Sequence, residues 1–204
     1  MSPMSSDDIK AQKQTLRKEA KARRRQANEA AGPGAAAMFA DHFFSVAGDL
    51  GVAPGKIVAG YWAMADEFDV RPLMERLVLE NGVDCALPVV VKNDAPLVFR
   101  RWRPGLPLEA GGFGTHHPPE DLPECEPDIV LVPLLAFDSN GYRVGWGGGF
   151  YDRTLEKFRK RSQGVVAVGT AFAAQQIEAV AHDDLDQPVD WVVTERSAIR
   201  IGTS

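Results

Sequence analysis

The segment that most constrains the fold of this chain covers residues 128–161. It opens with a short apolar run, residues 129–132, which is typical of a buried strand. A polar turn follows, then the glycine-rich stretch 145–149, and a helical pattern begins near Phe150. A strand that leads through a glycine-rich loop into a helix is a recurring unit of α/β proteins, so this segment favours that class.

The junction between the glycine-rich loop and the helix suits a negatively charged ligand. The first N–H groups of a helix lack intrahelical partners, and the helix dipole is positive at that end. Glycines allow a positive φ and a close approach of the backbone to a ligand, because they carry no Cβ atom. The stretch therefore predicts a phosphate or nucleotide site. The alternative is a glycine-rich surface turn that binds nothing.

The composition narrows the class of protein further. The 204 residues are 45% hydrophobic and 25% charged, which predicts one globular domain over residues 1–204. A net charge of −5 argues against a nucleic-acid partner, and no apolar window is long enough for a membrane-spanning helix. Cys85 and Cys125 are far apart in the sequence, so we expect free thiols and a cytoplasmic protein. We also expect a monomer, since nothing indicates an extensive apolar interface.

Helical and strand patterns alternate along the chain. Strands are predicted at residues 57–62, 85–91, 97–102, 129–132, 164–170, 191–194 and 198–201. Helices are predicted at residues 7–29, 35–48, 69–81, 150–161 and 173–181, and residues 1–6 are expected to be disordered. The alternation predicts an α/β fold, a three-layer sandwich with a mainly parallel central sheet flanked by helices. The proline-rich segment 104–127 is expected to be irregular and to wrap over the surface or the mouth of the site. Its His116 and His117 could line a pocket, but ordinary surface-loop residues are the favoured interpretation.

Two charged pairs lie at positions where a ligand could bind. Lys13 and Arg17 are four residues apart in the first helix, so they project from one side of it and could hold a polyphosphate. The alternative for this pair is a solvated basic face. Asp66 and Glu67 lie where a strand passes into a helix, which is where α/β sheets bind ligands. From their position alone, acids that complement the helix dipole are the favoured interpretation of the second pair.

Three blocks of residues together carry a resemblance to a known family. The first is KQTLR at residues 13–17, the second is Asp66 with Glu67, and the third is FDSNGYRVGWGGGFYDR at residues 137–153. The tail DQPVDWVVTE at residues 186–195 agrees with them in order. Through these blocks, which span nearly the whole chain, the sequence resembles the 5-formyltetrahydrofolate cyclo-ligases, also called 5,10-methenyltetrahydrofolate synthetases.

The resemblance implies an ATP-dependent ring closure with Mg²⁺ as cofactor. The family converts 5-formyltetrahydrofolate to 5,10-methenyltetrahydrofolate and releases ADP and phosphate. Phosphorylation of the formyl oxygen would activate a poor electrophile, and N10 of the folate would then attack as phosphate leaves. Phosphoryl transfer depends mainly on positioning and charge stabilisation, so no catalytic nucleophile is required. The sequence accordingly shows no Ser/His/Asp or Cys/His arrangement that suggests one.

The resemblance also assigns residues to the two ligands and the metal. The residues expected at ATP are Lys13, Gln14, Thr15, Leu16, Arg17, Arg143, Val144, Gly145, Trp146, Gly147, Gly148, Gly149, Phe150 and Tyr151. The residues expected at the folate are Trp62, Glu67, Trp146, Gly147, Gly148, Gly149 and Phe150. Glu67 would accept hydrogen bonds from the pterin edge, and Trp62 would provide apolar contact. Asp152 and Asp186 are the expected Mg²⁺ ligands, because hard oxygen ligands suit this ion.

Some positions depart from the family pattern, and two alternatives stay open. Leu134 stands where a glycine is common after the proline, and Trp146 and Phe150 replace residues that are often tyrosine or arginine. These differences concern affinity more than reaction type. One alternative is another α/β enzyme, such as a sugar-phosphate isomerase or a relative of the coenzyme A transferases. The other is a non-catalytic nucleotide- or RNA-binding module, supported only by the basic first helix.

Overall fold

An eight-stranded sheet forms the centre of the protein in the computed structural model, which describes residues 6–202. The expected disorder of residues 1–6 concerns positions outside that range, except for Ser6, which begins the first helix. The helices are α1 Ser6–Ala31, α2 Ala35–Ser45, α3 Ala47–Leu50, α4 Arg71–Asn81 and α5 Phe150–Arg159. The strands are β1 Ile57–Ala59, β2 Asp84–Val89, β3 Val98–Trp102, β4 Glu109–Ala110, β5 His116–His117, β6 Glu124–Cys125, β7 Ile129–Pro133, β8 Ala136–Phe137, β9 Arg143–Val144, β10 Val166–Thr170, β11 Trp191–Val193 and β12 Ala198–Arg200.

The middle of the sheet is parallel and its edges are antiparallel. The strand order is β12-β11-β10-β7-β1-β2-β3-β6. Strands β11, β10, β7, β1 and β2 are parallel neighbours, whereas β12 and β3 pair antiparallel at the two sides and β6 adds to β3. The predicted α/β fold with a mainly parallel sheet is confirmed. The carboxyl ends of β1, β2 and β7 therefore meet at one edge, where such sheets bind ligands.

Helices cover both faces of the sheet. Successive strand residues point to opposite faces, so Leu131 and Val130 belong to different apolar clusters. Leu131 packs in the cluster that contains Phe39 of α2 and Leu73 of α4, both fully buried. Val130 packs in the cluster that contains Leu155 of α5. These two clusters give the predicted three layers. No helix among residues 6–202 has both the length and the apolar character needed to cross a membrane.

Helix α1 packs against a small hairpin through its middle, whereas Ala27 nearer its end belongs to the apolar cluster of Phe39 and Leu131. Strands β8 and β9 form this hairpin between β7 and the glycine-rich loop, and Ala20 of α1 is buried in a cluster with Val144. Asp138 closes the turn, because its Oδ1 accepts hydrogen bonds from the N–H groups of Asn140 (2.9 Å) and Tyr142 (3.1 Å). The sequence predicts this polar turn but not the two strands beside it, since two residues are too few to show an alternation.

The helix predicted at residues 173–181 is wrong. One 3-10 turn, Ala173–Gln175, forms there, and the following residues are irregular. The buried Gln175 side chain donates a hydrogen bond to the carbonyl of Leu134 (2.9 Å), which ties this turn to the end of β7. The N–H of Ile177 donates to a carbonyl of β8 (2.9 Å). Hydrogen bonds to neighbouring segments thus replace the ladder that a helix would need.

The proline-rich segment is more ordered than the sequence indicates. Strands β4 and β5 form a two-stranded ribbon, and β6 extends the central sheet beside β3. Arg100 in β3 fastens the segment by donating to the carbonyl of Pro118 (3.1 Å). The expectation of an irregular loop at residues 104–127 is therefore corrected for these three strands, each only two residues long.

Candidate active site

A cavity of about 990 Å³ opens at the carboxyl edge of the sheet. It is bordered by Tyr61 and Trp62 after β1, by Pro88 of β2, and by Pro133 at the end of β7. The glycine-rich loop and one face of α1 complete its walls. The structure brings the following predicted residues to this cavity: Lys13, Arg17, Trp62, Glu67, Arg143, Val144, Gly145, Trp146, Gly147, Gly148, Gly149, Phe150, Tyr151, Asp152 and Asp186.

Three residues assigned to ATP do not line the cavity. Gln14 and Thr15 are exposed on another side of α1, and Leu16 packs toward the hairpin cluster. Lys13 and Arg17 face the cavity because side chains four residues apart share one side of a helix, whereas intervening ones do not. Of the block at residues 13–17, the two cations are therefore the side chains that line the cavity.

The first turns of α1 form a cationic end of the cavity, lined by Lys10, Lys13 and Arg17. Lys13 Nζ makes an ion pair with Asp186, and its side chain is 13% exposed. Arg17 Nε donates to the carbonyl of Gly145 (3.1 Å), so the guanidinium group lies against the glycine-rich loop. An anion entering this end would meet three cations on successive turns of one helix.

The glycine-rich loop depends on glycine at two positions. Gly147 and Gly149 have φ of +100° and +65°, which side chains other than glycine rarely adopt. A Cβ atom at Gly147 would lie 3.1 Å from Arg17 Cζ, and one at Gly149 would lie 2.6 Å from Arg153 Nη1. Gly149 also precedes α5 and provides no side-chain cap, so first-turn N–H groups are left for a ligand. The loop is thus held between two guanidinium groups beside a helix N-terminus.

The other end of the cavity contains a buried carboxylate. Glu67 is 6% exposed, and its Oε2 accepts a hydrogen bond from the N–H of Met64 (3.0 Å). Its Oε1 accepts from the indole Nε1 of Trp146 (2.9 Å) and lies 3.7 Å from Arg24 Nη1. We call this part, lined by Trp62, Glu67 and Trp146, the carboxylate end. The partners described for the Glu67 carboxylate are two N–H donors and a cation. A carboxylate of this kind can also accept a hydrogen bond from an N–H group of a ligand.

An aromatic wall borders the carboxylate end. The Trp62 ring lies 6.1 Å from that of Trp102 and 6.3 Å from that of His116, and the Arg71 guanidinium stacks over it at 4.9 Å. Such a wall offers apolar contact to a flat ring. The expectation that His116 belongs to a surface loop is corrected, because β5 places it in the cavity wall.

Asp152 and Asp186, the expected Mg²⁺ ligands, line the cavity but already have partners. Asp152 Oδ1 accepts from Arg143 Nη2 (2.9 Å) and from a backbone N–H (3.1 Å). Asp186 Oδ2 pairs with Lys13 and accepts from a backbone N–H (2.8 Å). The other oxygen of each carboxylate suits a hard cation that takes most of its ligands from phosphate and water. Within residues 6–202, no cluster of three or more His, Cys, Asp or Glu side chains could hold a metal unaided.

The cavity offers no ionised tyrosine. Burial raises the pKa of Tyr151, and the Glu67 carboxylate raises it further. Burial also raises the pKa of Tyr61 well above its ordinary value. The cysteines lie outside the cavity, and burial raises the pKa of Cys85 to about 12 and that of Cys125 to about 11. All four groups are protonated at neutral pH.

Sequence reasoning missed two arginines at the site. Arg153 of α5 donates to the carbonyl of Gly148 (2.8 Å), and Arg24 of α1 contacts Glu67. A signal for Arg24 exists in the sequence, because it follows Arg17 by seven residues and so falls on the same face of the helix. Several basic residues surround it, however, and only the packing of the Asp66 loop distinguishes it from them.

Comparison with known proteins places this chain in a family. The model of the 5-formyltetrahydrofolate cyclo-ligase family matches residues 9–195. The 5-formyltetrahydrofolate cyclo-ligase of Haemophilus influenzae is 35% identical over 139 residues, covering 66% of this chain and 73% of that protein. The protein of the same name from Escherichia coli is 34% identical over 142 residues, covering 67% and 76%. The NMR structure of Aquifex aeolicus 5,10-methenyltetrahydrofolate synthetase gives a TM-score of 0.70 at 29% identity, covering 94% of each chain.

The fold and these relatives define an α/β enzyme of the ligase class. The chain belongs to the 5-formyltetrahydrofolate cyclo-ligase family. The resemblance drawn from the three sequence blocks is thereby confirmed. Membership of this family decides against an unrelated α/β enzyme and against a module without catalytic activity.

Proposed function

We propose that this chain cyclises 5-formyltetrahydrofolate to 5,10-methenyltetrahydrofolate in an ATP-dependent reaction that releases ADP and phosphate. One observation carries the proposal: a single cavity joins the cationic end to the carboxylate end across a glycine-rich loop, in a chain of this family. The two ends are complementary to two different ligands. Cations and free N–H groups suit a triphosphate, whereas a buried carboxylate beside an aromatic wall suits a pterin ring that presents N–H donors.

ATP binds at the cationic end in this proposal. Lys13 and Arg17 contact its phosphates, and the loop from Arg143 to Tyr151 wraps the nucleotide. Lys13 exchanges its ion pair with Asp186 for a phosphate oxygen. A phosphate oxygen replaces the carboxylate oxygen as the charged acceptor for Lys13, so the cation keeps an anionic partner throughout the exchange.

The folate ring binds at the carboxylate end, with Glu67 as the acceptor for the amino and ring N–H groups. Trp62 contacts the face of the ring. The indole N–H of Trp146 donates to Glu67 Oε1 (2.9 Å). The substrate therefore displaces the indole from the carboxylate, and Trp146 becomes part of the pocket wall. The glycines between the two ends leave room for the γ-phosphate and the formyl group to meet.

The reaction proceeds in two steps at that meeting point. The formyl oxygen takes the γ-phosphoryl group and ADP leaves, which turns the oxygen into a good leaving group. N10 then attacks the formyl carbon, the carbon–oxygen bond breaks with release of phosphate, and N10 loses its proton to water. Arg17 and Arg153, on either side of the loop, stabilise the charge that develops on the phosphoryl oxygens. Mg²⁺, held through Asp152 and Asp186, supplies charge neutralisation on the triphosphate when bound.

The test is a direct assay. The purified protein is mixed with 5-formyltetrahydrofolate and MgATP, and the methenyl chromophore is followed in the near ultraviolet. We expect absorbance to grow only when ATP and Mg²⁺ are both present, with one ADP formed for each methenyl group. Growth of the chromophore without ATP, or its absence in the complete mixture, would overturn the proposal.

A further inference from the structure

Arg24 is almost completely enclosed, although it lies on a helix rich in exposed cations. Its side chain is 1% exposed, and its Nη2 donates to Asp66 Oδ1 at 2.9 Å. Its Nη1 lies 3.7 Å from Glu67 Oε1, and its guanidinium carbon lies 5.2 Å from the Trp146 ring. Its Nε is buried and makes no hydrogen bond within residues 6–202. The cation thus contacts the carboxylate, the neighbouring acid and the aromatic ring of the carboxylate end.

Stability alone does not explain a cation in such a place. Removing an arginine from water is costly, and a buried ion pair often contributes no more stability than an apolar replacement of the same size. The incomplete hydrogen bonding of the Arg24 guanidinium makes the arrangement costlier still. The alternative explanation is that Arg24 holds a functional group, the Glu67 carboxylate, in position.

We infer that Arg24 is a positioning residue, which keeps Glu67 in place to receive the folate ring while Trp146 exchanges with the substrate. This inference rests on the proposed function and adds a residue to it. Two of the three contacts described for Glu67 persist when the indole leaves: the N–H of Met64 on Oε2 and Arg24 beside Oε1. Without Arg24, only the backbone contact would hold the carboxylate against solvent and against rotation.

Asp66 completes the arrangement. Burial alone would raise the pKa of its carboxyl, but the hydrogen bond and charge of Arg24 hold that pKa below its ordinary value. Asp66 therefore stays ionised and takes the closer contact with the guanidinium group, 2.9 Å against 3.7 Å for Glu67. Glu67 Oε1 is left with capacity to accept a hydrogen bond from a ligand, while it still lies in the field of the cation.

The experiment compares steady-state kinetics with each substrate varied separately. Arg24→Met keeps the length and removes the charge, and Arg24→Lys restores a charge. The matched control is Arg25→Met, one residue further along α1, where the side chain is 75% exposed and pairs with Glu29 at 3.5 Å. We expect Arg24→Met to raise KM for 5-formyltetrahydrofolate about tenfold, with KM for ATP changed less than about twofold. Arg24→Lys should fall between that variant and wild type, and Arg25→Met should match wild type.

A double-mutant cycle separates positioning from a merely structural role. If Arg24 acts through Glu67, Arg24→Met should raise KM for the folate by less than about twofold when Glu67 is already glutamine. Full additivity of the two substitutions, or an equal rise in both KM values, would overturn the inference. So would a lower thermal midpoint with both KM values unchanged.

The inference can also be tested if Arg24→Met does not fold or if the wild-type protein is inactive. Should Arg24→Met fail to fold, Arg24→Lys becomes the test: a raised folate KM at unchanged ATP KM supports the inference, and wild-type values for both overturn it. An inactive wild-type protein would overturn the proposed function and this inference with it. An active wild type whose Arg24 variants keep the wild-type folate KM overturns the inference alone.

Discussion

One face of helix α1 carries two cations that each contact a carboxylate, but the two contacts lie in different surroundings. Near the start of α1, Lys13 pairs with Asp186, and their side chains are 13% and 18% exposed. Further along the same face, Arg24 pairs with Asp66 and Glu67; the Arg24 and Glu67 side chains are 1% and 3% exposed, and that of Asp66 is 21% exposed. The first pair lines the cavity and can be reached by a ligand there, whereas breaking the second would leave the enclosed Arg24 charge without its partners.

Because of this difference, one helix can serve two ligands. A cation that binds an incoming triphosphate must be able to leave its present carboxylate partner. A cation that must keep a carboxylate ready for a neutral ring belongs where it cannot move. Substitutions at the Lys13 pair and at the Arg24 pair should therefore change the binding of different ligands.

The largest effect is expected at the buried carboxylate. Glu67→Gln keeps the shape but places N–H donors where Arg24 and the Trp146 indole already offer donors. We expect KM for 5-formyltetrahydrofolate to rise about 30-fold, the loss of about 2 kcal/mol from hydrogen bonds to a charged group, with KM for ATP unchanged. Glu75→Gln, at an exposed position of α4, is the control. A change confined to ATP would show that the two ends are assigned the wrong way round.

A smaller effect is expected at Asp152, on the cationic side. Asp152→Asn removes the charge that Arg143 and the metal would share, so the Mg²⁺ concentration for half-maximal rate should rise about tenfold. Titrating the rate with Mg²⁺ at saturating ATP measures this, and Asp121→Asn in an exposed loop provides the comparison. A lower thermal midpoint with an unchanged Mg²⁺ titration would instead assign Asp152 to the fold through its ion pair with Arg143.

The smallest effect is expected at Lys13. Because Lys10 and Arg17 line the same end of the cavity, Lys13→Ala should raise KM for ATP only about fivefold and leave KM for the folate as it is. Lys18→Ala, an exposed position on the same helix, should behave as wild type. A selective loss of folate binding in the Lys13 variant would contradict the division of α1 into two ends.

Much of the fold is predictable from the sequence because its signals are long. The continuous apolar run of β7 and the repeated apolar positions of the helices with 10 residues or more are long enough to be recognised. By contrast, each strand of the β8–β9 hairpin and of the proline-rich segment is two residues long. Two residues are too few to show the alternation of apolar and polar side chains that marks a strand. The failed helix at residues 173–181 has good helical composition, and it is lost to tertiary hydrogen bonds such as that from Gln175 to Leu134.

The residues of the site also differ in how far the sequence predicts them. The glycine-rich loop is predictable because positive φ at Gly147 and Gly149 demands glycine, and this leaves a mark in the sequence. Glu67 is suggested only by resemblance, since an acid before a helix has an ordinary explanation. The role of Arg24 depends on which of several basic side chains a distant loop covers, and that is a property of packing.

The most direct measurement follows the formyl oxygen. 5-Formyltetrahydrofolate labelled with ¹⁸O in its formyl group is turned over with unlabelled MgATP, and the released phosphate is analysed by mass spectrometry. If the formyl oxygen accepts the γ-phosphoryl group in this cavity, each phosphate should carry one ¹⁸O atom. Unlabelled phosphate, with the ¹⁸O recovered in water, would show that ATP is hydrolysed without activating the formyl group and would contradict the account.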